Sequence, residues 1–231
     1  MPDIQFLTLL SIGFLLGARH ALDADHIAAV ATIVSERRSL RASGFVGFCW
    51  GVGHTVVLLV VGLAIVAFKI TVPERVAAGF EFLVGLMLVG LGGSLALTIA
   101  KQGWHYHTHE HDGQRHLHLH HHRNLGHHRH RHWLEGSLKP FIVGMVHGLA
   151  GSAALALMVV STVKTVGEML VYMAVFGLGS ILGMVLLGTV ISVPLIFSAS
   201  MGQRATTILQ VFASLASISL GVMILTGFSL G

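Results

Sequence analysis

The sequence predicts an all-α, polytopic membrane protein of six transmembrane helices, arranged as two inverted three-helix repeats. Three observations predict it. Hydrophobic residues make up 54% of the chain and charged residues only 10%, against about 25% charged in an ordinary soluble domain. Six apolar stretches are long enough to cross a hydrocarbon core, which takes about 20 helical residues. The two halves of the chain also carry similar polar landmarks at a near-constant offset.

The six spans fall near Ile4–Val34, Ser43–Phe68, Ala77–Ala100, Leu138–Val163, Glu168–Phe197 and Ala205–Phe228. Residues 1–100 form the first three-helix unit, 101–139 a polar connector, and 140–231 the second unit. The connector holds thirteen of the seventeen histidines, including His105, His107, His109 and His120, His121 and His122. Such a composition is biased toward metal binding. It fits a low-affinity metal buffer, a sensor or a solvated connector, expected to be largely disordered without metal. No basic stretch precedes the first apolar run, so no cleavable signal peptide is expected.

Lysine and arginine set the orientation. Loops after spans one, three and five hold Arg37, Arg38, Arg41, Lys101, Arg115, Arg123, Arg129, Arg131, Lys139 and Arg204, while the other side holds Lys69, Arg75 and Lys164. Positive loops stay cytoplasmic. The expectation is therefore a multi-pass protein of the inner (cytoplasmic) membrane, with both termini outside and the histidine-rich loop inside. The net charge of +4 does not indicate a nucleic-acid partner, because the basic residues lie between apolar runs rather than on one face. A homo-oligomer is compatible with this pattern, and nothing in the sequence requires one.

The repeat is carried by short matches. His20-Ala21-Leu22 corresponds to His147-Gly148-Leu149, 127 residues on, and Trp50-Gly51-Val52-Gly53-His54 to Phe176-Gly177-Leu178-Gly179-Ser180. A unit of three spans is odd, so the second copy must insert upside down. Inverted repeats with a mid-membrane site are the architecture of many secondary transporters. Glu81 and Gln210 also stand at matching positions, in spans three and six.

Span one breaks the rule that membrane helices exclude ionisable groups, each costing about 2.5–3.5 kcal/mol at the helix centre. Arg19, His20, Asp23, Asp25 and His26 fall within eight residues. The span is also too long for a straight crossing, at roughly 46 Å against about 30 Å, so it tilts strongly or bends at the motif. His20, Asp23 and His26 drift round one side of a helix, whereas Asp25 points away unless the backbone departs from helical geometry. His54 in span two and His147 in span four lie at comparable depth. His20, Asp23, Asp25, His26, His54 and His147 are therefore the candidate metal ligands. Imidazole with some carboxylate suits Ni, Co, Zn or Cu, whereas Mg and Ca prefer oxygen. The alternative is a hydrogen-bond network in which Arg19 pairs with Asp23 or Asp25.

Arg19-His20-Ala21-Leu22-Asp23-Ala24-Asp25-His26-Ile27 resembles the signature of the nickel/cobalt transporter (NiCoT) family, His-x4-Asp-His. Gly53-His54-Thr55-Val56-Val57 is similar to that family's second motif. The later acidic motifs of eight-span members are absent, and His147-Gly148-Leu149-Ala150-Gly151-Ser152 looks like the six-span branch that includes urease-associated nickel permeases. The resemblance implies that His20, Asp25 and His26 are required for transport and that His54 helps choose between Ni²⁺ and Co²⁺. It implies a secondary transporter with a divalent transition-metal ion as cargo, the lipid bilayer as surroundings and no cofactor.

Other classes fit less well. No Walker P-loop is present, so no ATPase is built in. A membrane metalloenzyme would want His-Glu-x-x-His or several histidine boxes, and the spans have neither. The alternatives retained are an efflux protein for the same metals and a non-transporting membrane sensor or accessory subunit. Cys49, the single cysteine, reads as a small buried hydrophobe outside the site.

Overall fold

The computed structural model describes residues 4–37, 39–68, 72–102, 105–111, 114–120, 137–150 and 165–227. Helices α1 (Ile4–His20), α2 (Ala24–Val34), α3 (Leu40–Phe68) and α4 (Glu74–Gln102) come first in chain order. Strands β1 (His105–His111) and β2 (Gln114–His120) follow. Residues 137–150 are helical and are called α5, and α6 (Val166–Met201) and α7 (Gln203–Leu225) close the chain. Four helices, α3, α4, α6 and α7, are long and apolar enough to cross a membrane. The pair α1 and α2 passes the same test only when taken together, as a broken span or a re-entrant loop. The expected fourth span begins as α5, and its remainder, residues 151–164, lies outside the described residues.

The segment expected as span one is bent at the motif. Helix α1 ends at His20, α2 begins at Ala24, and their axes differ by 55°. In the turn between them Leu22 N–H donates to Arg19 O at 2.8 Å and Asp23 N–H to His20 O at 3.1 Å, a tightening from the i−4 to the i−3 carbonyl. Helix α6 runs for 36 residues, or roughly 54 Å, through the middle of the molecule. It lies against α1, α2, α3 and α7.

Close helix contact is made by glycine, as is usual where lipid removes the hydrophobic drive for helix association. A Cβ on Gly17 of α1 would strike the Phe176 carbonyl of α6, and one on Gly179 would strike the Phe14 carbonyl. On the other side of the molecule a Cβ on Gly144 of α5 would strike the Trp50 carbonyl of α3, and one on Gly53 the Phe141 carbonyl. These four contacts seat α1 on α6 and α5 on α3 at backbone distance. Helices α4 and α7 pack likewise through Gly85, Gly92 and Gly221, with Ser214 Oγ donating to Gly92 O and Ser217 Oγ to Leu88 O, both at 2.9 Å. Gln210 Nε2 donates to Ser35 O at 3.1 Å, fastening α7 to the end of α2. Trp50, Leu88 and Met184 form the buried centre, while Leu186, Val190, Phe197 and Phe212 are exposed on the helix surfaces. In a membrane protein that exposed apolar surface is the one that lipid covers.

Part of the histidine-rich connector departs from the expected disorder. Strands β1 and β2 pair antiparallel, with His105 opposite His120, His107 opposite His118 and His109 opposite His116. The reason is legible in the chain: residues alternate with period two on both sides of Asp112-Gly113, a dipeptide favoured in two-residue hairpin loops. The membrane part of the protein is helical throughout its described residues.

Candidate metal centre

The break in span one builds the centre. Asp23 stands at the N-cap of α2 with extended backbone (φ −63°, ψ 146°), a residue type that ordinarily caps through its side chain. Here it makes no such cap, because its carboxylate is taken by His20: Nδ1–H of His20 donates to Asp23 Oδ2 at 2.7 Å. This orients His20 and leaves its Nε2 buried with no hydrogen-bond partner. Two residues on, Asp25 accepts from the His26 backbone N–H at 2.9 Å through Oδ1 and from His147 Nε2–H at 2.6 Å through Oδ2. A straight helix would have turned Asp25 away from this cluster. The 55° bend brings it in.

Three histidines surround His26. Its ring stacks on His147 with centroids 4.2 Å apart and meets His20 at 4.7 Å and His54 at 5.5 Å, both edge-on. His20 and His54 are 5.1 Å apart. His26, His54 and His147 are buried, and neither ring nitrogen of His26 or His54 has a hydrogen-bond partner, nor has Nδ1 of His147. Leaving a buried polar atom unsatisfied costs about 1–3 kcal/mol. Four histidines that each hold at least one such nitrogen, beside two carboxylates, form a donor set suited to a divalent transition ion. The two carboxylate charges also match the two positive charges such an ion would bring into a dry interior.

Of the six residues expected from the sequence, five fall into two overlapping groups whose ligand atoms lie within 4.8 Å of one another: His20, His26 and His54, and Asp25, His26 and His147. Asp23 belongs to neither group and touches the cluster through His20. Arg19 is exposed and makes no ion pair among the described residues. Glu81 is exposed on α4, and Cys49 is buried in α3 outside both groups. The sequence reading missed the aromatic lining. Phe176 lies 5.8 Å from His20, and Trp50 lies 5.7 Å from His147 and 6.2 Å from His26. Their signal was present, since Trp50 and Phe176 head the two matching pentapeptides. At the place of His54 in the second pentapeptide stands Ser180, buried and without a hydrogen-bond partner.

A family model described as high-affinity nickel-transport protein matches residues 6–229, nearly the whole chain. The chain belongs to the high-affinity nickel-transport protein family. It is also 36% identical, over 218 residues, to the urease accessory protein UreH of Bacillus sp. (strain TB-90), an alignment covering 94% of this chain and 91% of the relative. No solved structure matches it. Members of this family are membrane transport proteins, so the chain is a multi-pass transporter and not an enzyme, and nickel is its cargo rather than a cofactor.

Proposed function

We propose that this protein is a secondary transporter that takes Ni²⁺ (or Co²⁺) into the cell across the cytoplasmic membrane. The observation that carries the proposal is the convergence of His20, Asp25 and His26 with His54 and His147, from three separate spans, with six buried ring nitrogens free of hydrogen bonds. In this reading those five residues are the ligands, and Asp23 acts one step back by orienting His20. Uptake is favoured energetically, since an inside-negative potential of about 100 mV draws in a doubly charged ion with about 4.6 kcal/mol, or roughly 2000-fold. The test is radiolabelled Ni²⁺ uptake by metal-starved cells. His20→Ala and His26→Ala should each abolish it while the protein remains in the membrane, and His54→Ala should weaken it or alter the Ni/Co ratio. Near-normal uptake by either of the first two variants would sink the ligand set. Inside-out vesicles that load Ni²⁺ while right-side-out vesicles do not would make the protein an exporter.

The same reading places both termini outside and the histidine-rich loop in the cytoplasm, on the excess of lysine and arginine in loops one, three and five. A cysteine at Ser39 should label only from the cytoplasm and one at Pro73 only from outside. Reversed labelling would invert the orientation.

It also takes the six spans as two inverted repeats. What supports this is that individual contacts recur with the halves exchanged. Gly17 against Phe176 corresponds to Gly144 against Trp50, Gly179 against Phe14 to Gly53 against Phe141, and Gly51 against Ile181 to Gly177 against Thr55. Residues in each pair of contacts differ by 126 or 127 positions, in opposite senses. An experimental structure in which α1 and α5 run the same way through the membrane would end this part of the proposal.

A further inference from the structure

We infer that the centre holds its ion at two adjacent positions in turn, with His26 the one ligand common to both. The inference rests on the reading of this cluster as the transport site. Its first ground is metric. Imidazole and carboxylate bonds to a divalent ion of this kind run about 2.0–2.2 Å, so two atoms bound to one ion are at most about 4.4 Å apart. Among the described residues, only two sets of three come near that limit, His20, His26 and His54 on one hand and Asp25, His26 and His147 on the other. One ion therefore draws on one set at a time.

The two positions also differ in readiness. At the first, the free nitrogens of His20, His26 and His54 have no hydrogen bond to give up. At the second, a 2.6 Å hydrogen bond joins His147 Nε2 to Asp25 Oδ2 while His147 Nδ1 has no partner, so an arriving ion either takes Nδ1 or displaces that bond. Each position has one partly exposed member and two buried ones. The exposed members are His20, with 21% of its side chain accessible, and Asp25, with 30%. Finally, each outer histidine has an aromatic ring at the same range, Phe176 5.8 Å from His20 and Trp50 5.7 Å from His147. Those rings head the matching pentapeptides of the two halves, so the two positions have matching surroundings. His26 lies between them, stacked on His147 and edge-on to His20.

Passage then consists of ligand exchange around His26. The ion gives up His20 and His54 and acquires Asp25 and His147, never leaving imidazole coordination. This avoids the cost of a bare dication in the membrane interior.

Crystals of the full chain soaked in Ni²⁺, with anomalous difference maps at the nickel edge, test this directly, because metal on the histidine-rich loop would appear elsewhere. The wild type should show two neighbouring peaks of partial occupancy, both touching His26. His54→Gln should leave only the peak beside Asp25 and His147, and His147→Gln only the one beside His20. Uptake should fall at least tenfold in both variants although each still binds one ion, a combination that misfolding does not produce. A single wild-type peak that both variants weaken in place would overturn the two-position inference and leave the transport site standing. No peak in the cluster, with uptake intact, would overturn both. Should either glutamine variant fail to crystallise, the wild-type map alone decides between one peak and two.

Discussion

Asp25 and His147, separated by 122 residues in sequence, are joined by a 2.6 Å hydrogen bond that ties the broken first span to α5. The carboxylate also holds the His26 backbone, so it fixes both partners of the second ion position. An asparagine in its place keeps the shape and removes the charge. Asp25→Asn should lower Ni²⁺ uptake by at least tenfold with normal amounts of protein in the membrane. Uptake within twofold of wild type would show that the carboxylate only braces the fold.

Asp23 makes a different prediction, because among the described residues its carboxylate pairs with His20 and with no other member of the cluster. Groups that orient a metal-bound histidine typically change affinity or activity about 10–100-fold when removed. Asp23→Ala should therefore weaken uptake within that range and spare more activity than His20→Ala. Asp23→Glu, which can still accept from His20 Nδ1–H, should recover part of the loss. If Asp23→Ala is as inactive as His20→Ala and the glutamate variant recovers nothing, Asp23 is itself a ligand.

Packing gives a test that is independent of metal. A side chain at Gly17 or Gly144 meets a backbone carbonyl of the facing helix, which cannot swing aside. Gly17→Val or Gly144→Val should cost about 1–3 kcal/mol or more and lower the melting temperature of the purified protein. Gly93 faces open space on α4, so Gly93→Ala should be neutral or slightly stabilising. Equal melting curves for all three would show that the glycine contacts do not hold the bundle together.

The histidine-rich loop should separate from the pore. Replacing residues 105–132 with a Gly/Ser linker should preserve saturable transport, because such a linker is flexible and its length affects closure by only about 0.6 kcal/mol per doubling. What should be lost is extra metal capacity. Imidazoles with an ordinary pKa of about 6.5 bind metal when neutral and release it as pH falls through that value. Calorimetry should therefore find several weak Ni²⁺ equivalents in the wild type at pH 7.5, far fewer at pH 5.5, and none in the linker protein. Equal stoichiometry in both proteins would show that the loop is no buffer, and loss of transport in the linker protein would make the loop part of the path.

Sequence alone determined the features that are local in the chain. Apolar length marks the helices able to cross a membrane, because crossing lipid needs a fixed number of helical residues. The density of Arg19, His20, Asp23, Asp25 and His26 marked the candidate site, because each such group is costly in a membrane. The excess length of span one required a bend or a strong tilt, though not which. Only the tertiary structure decided that α1 stops at His20, that Asp23 spends its carboxylate on His20, and that Asp25 swings in to meet His147. It also decided that the donors divide into two sets around His26. Those outcomes depend on how closely α1 approaches α6 and α5 approaches α3. That approach is set by Gly17, Gly53, Gly144 and Gly179 meeting carbonyls far away in sequence, and hydrophobic periodicity carries no information about such partners.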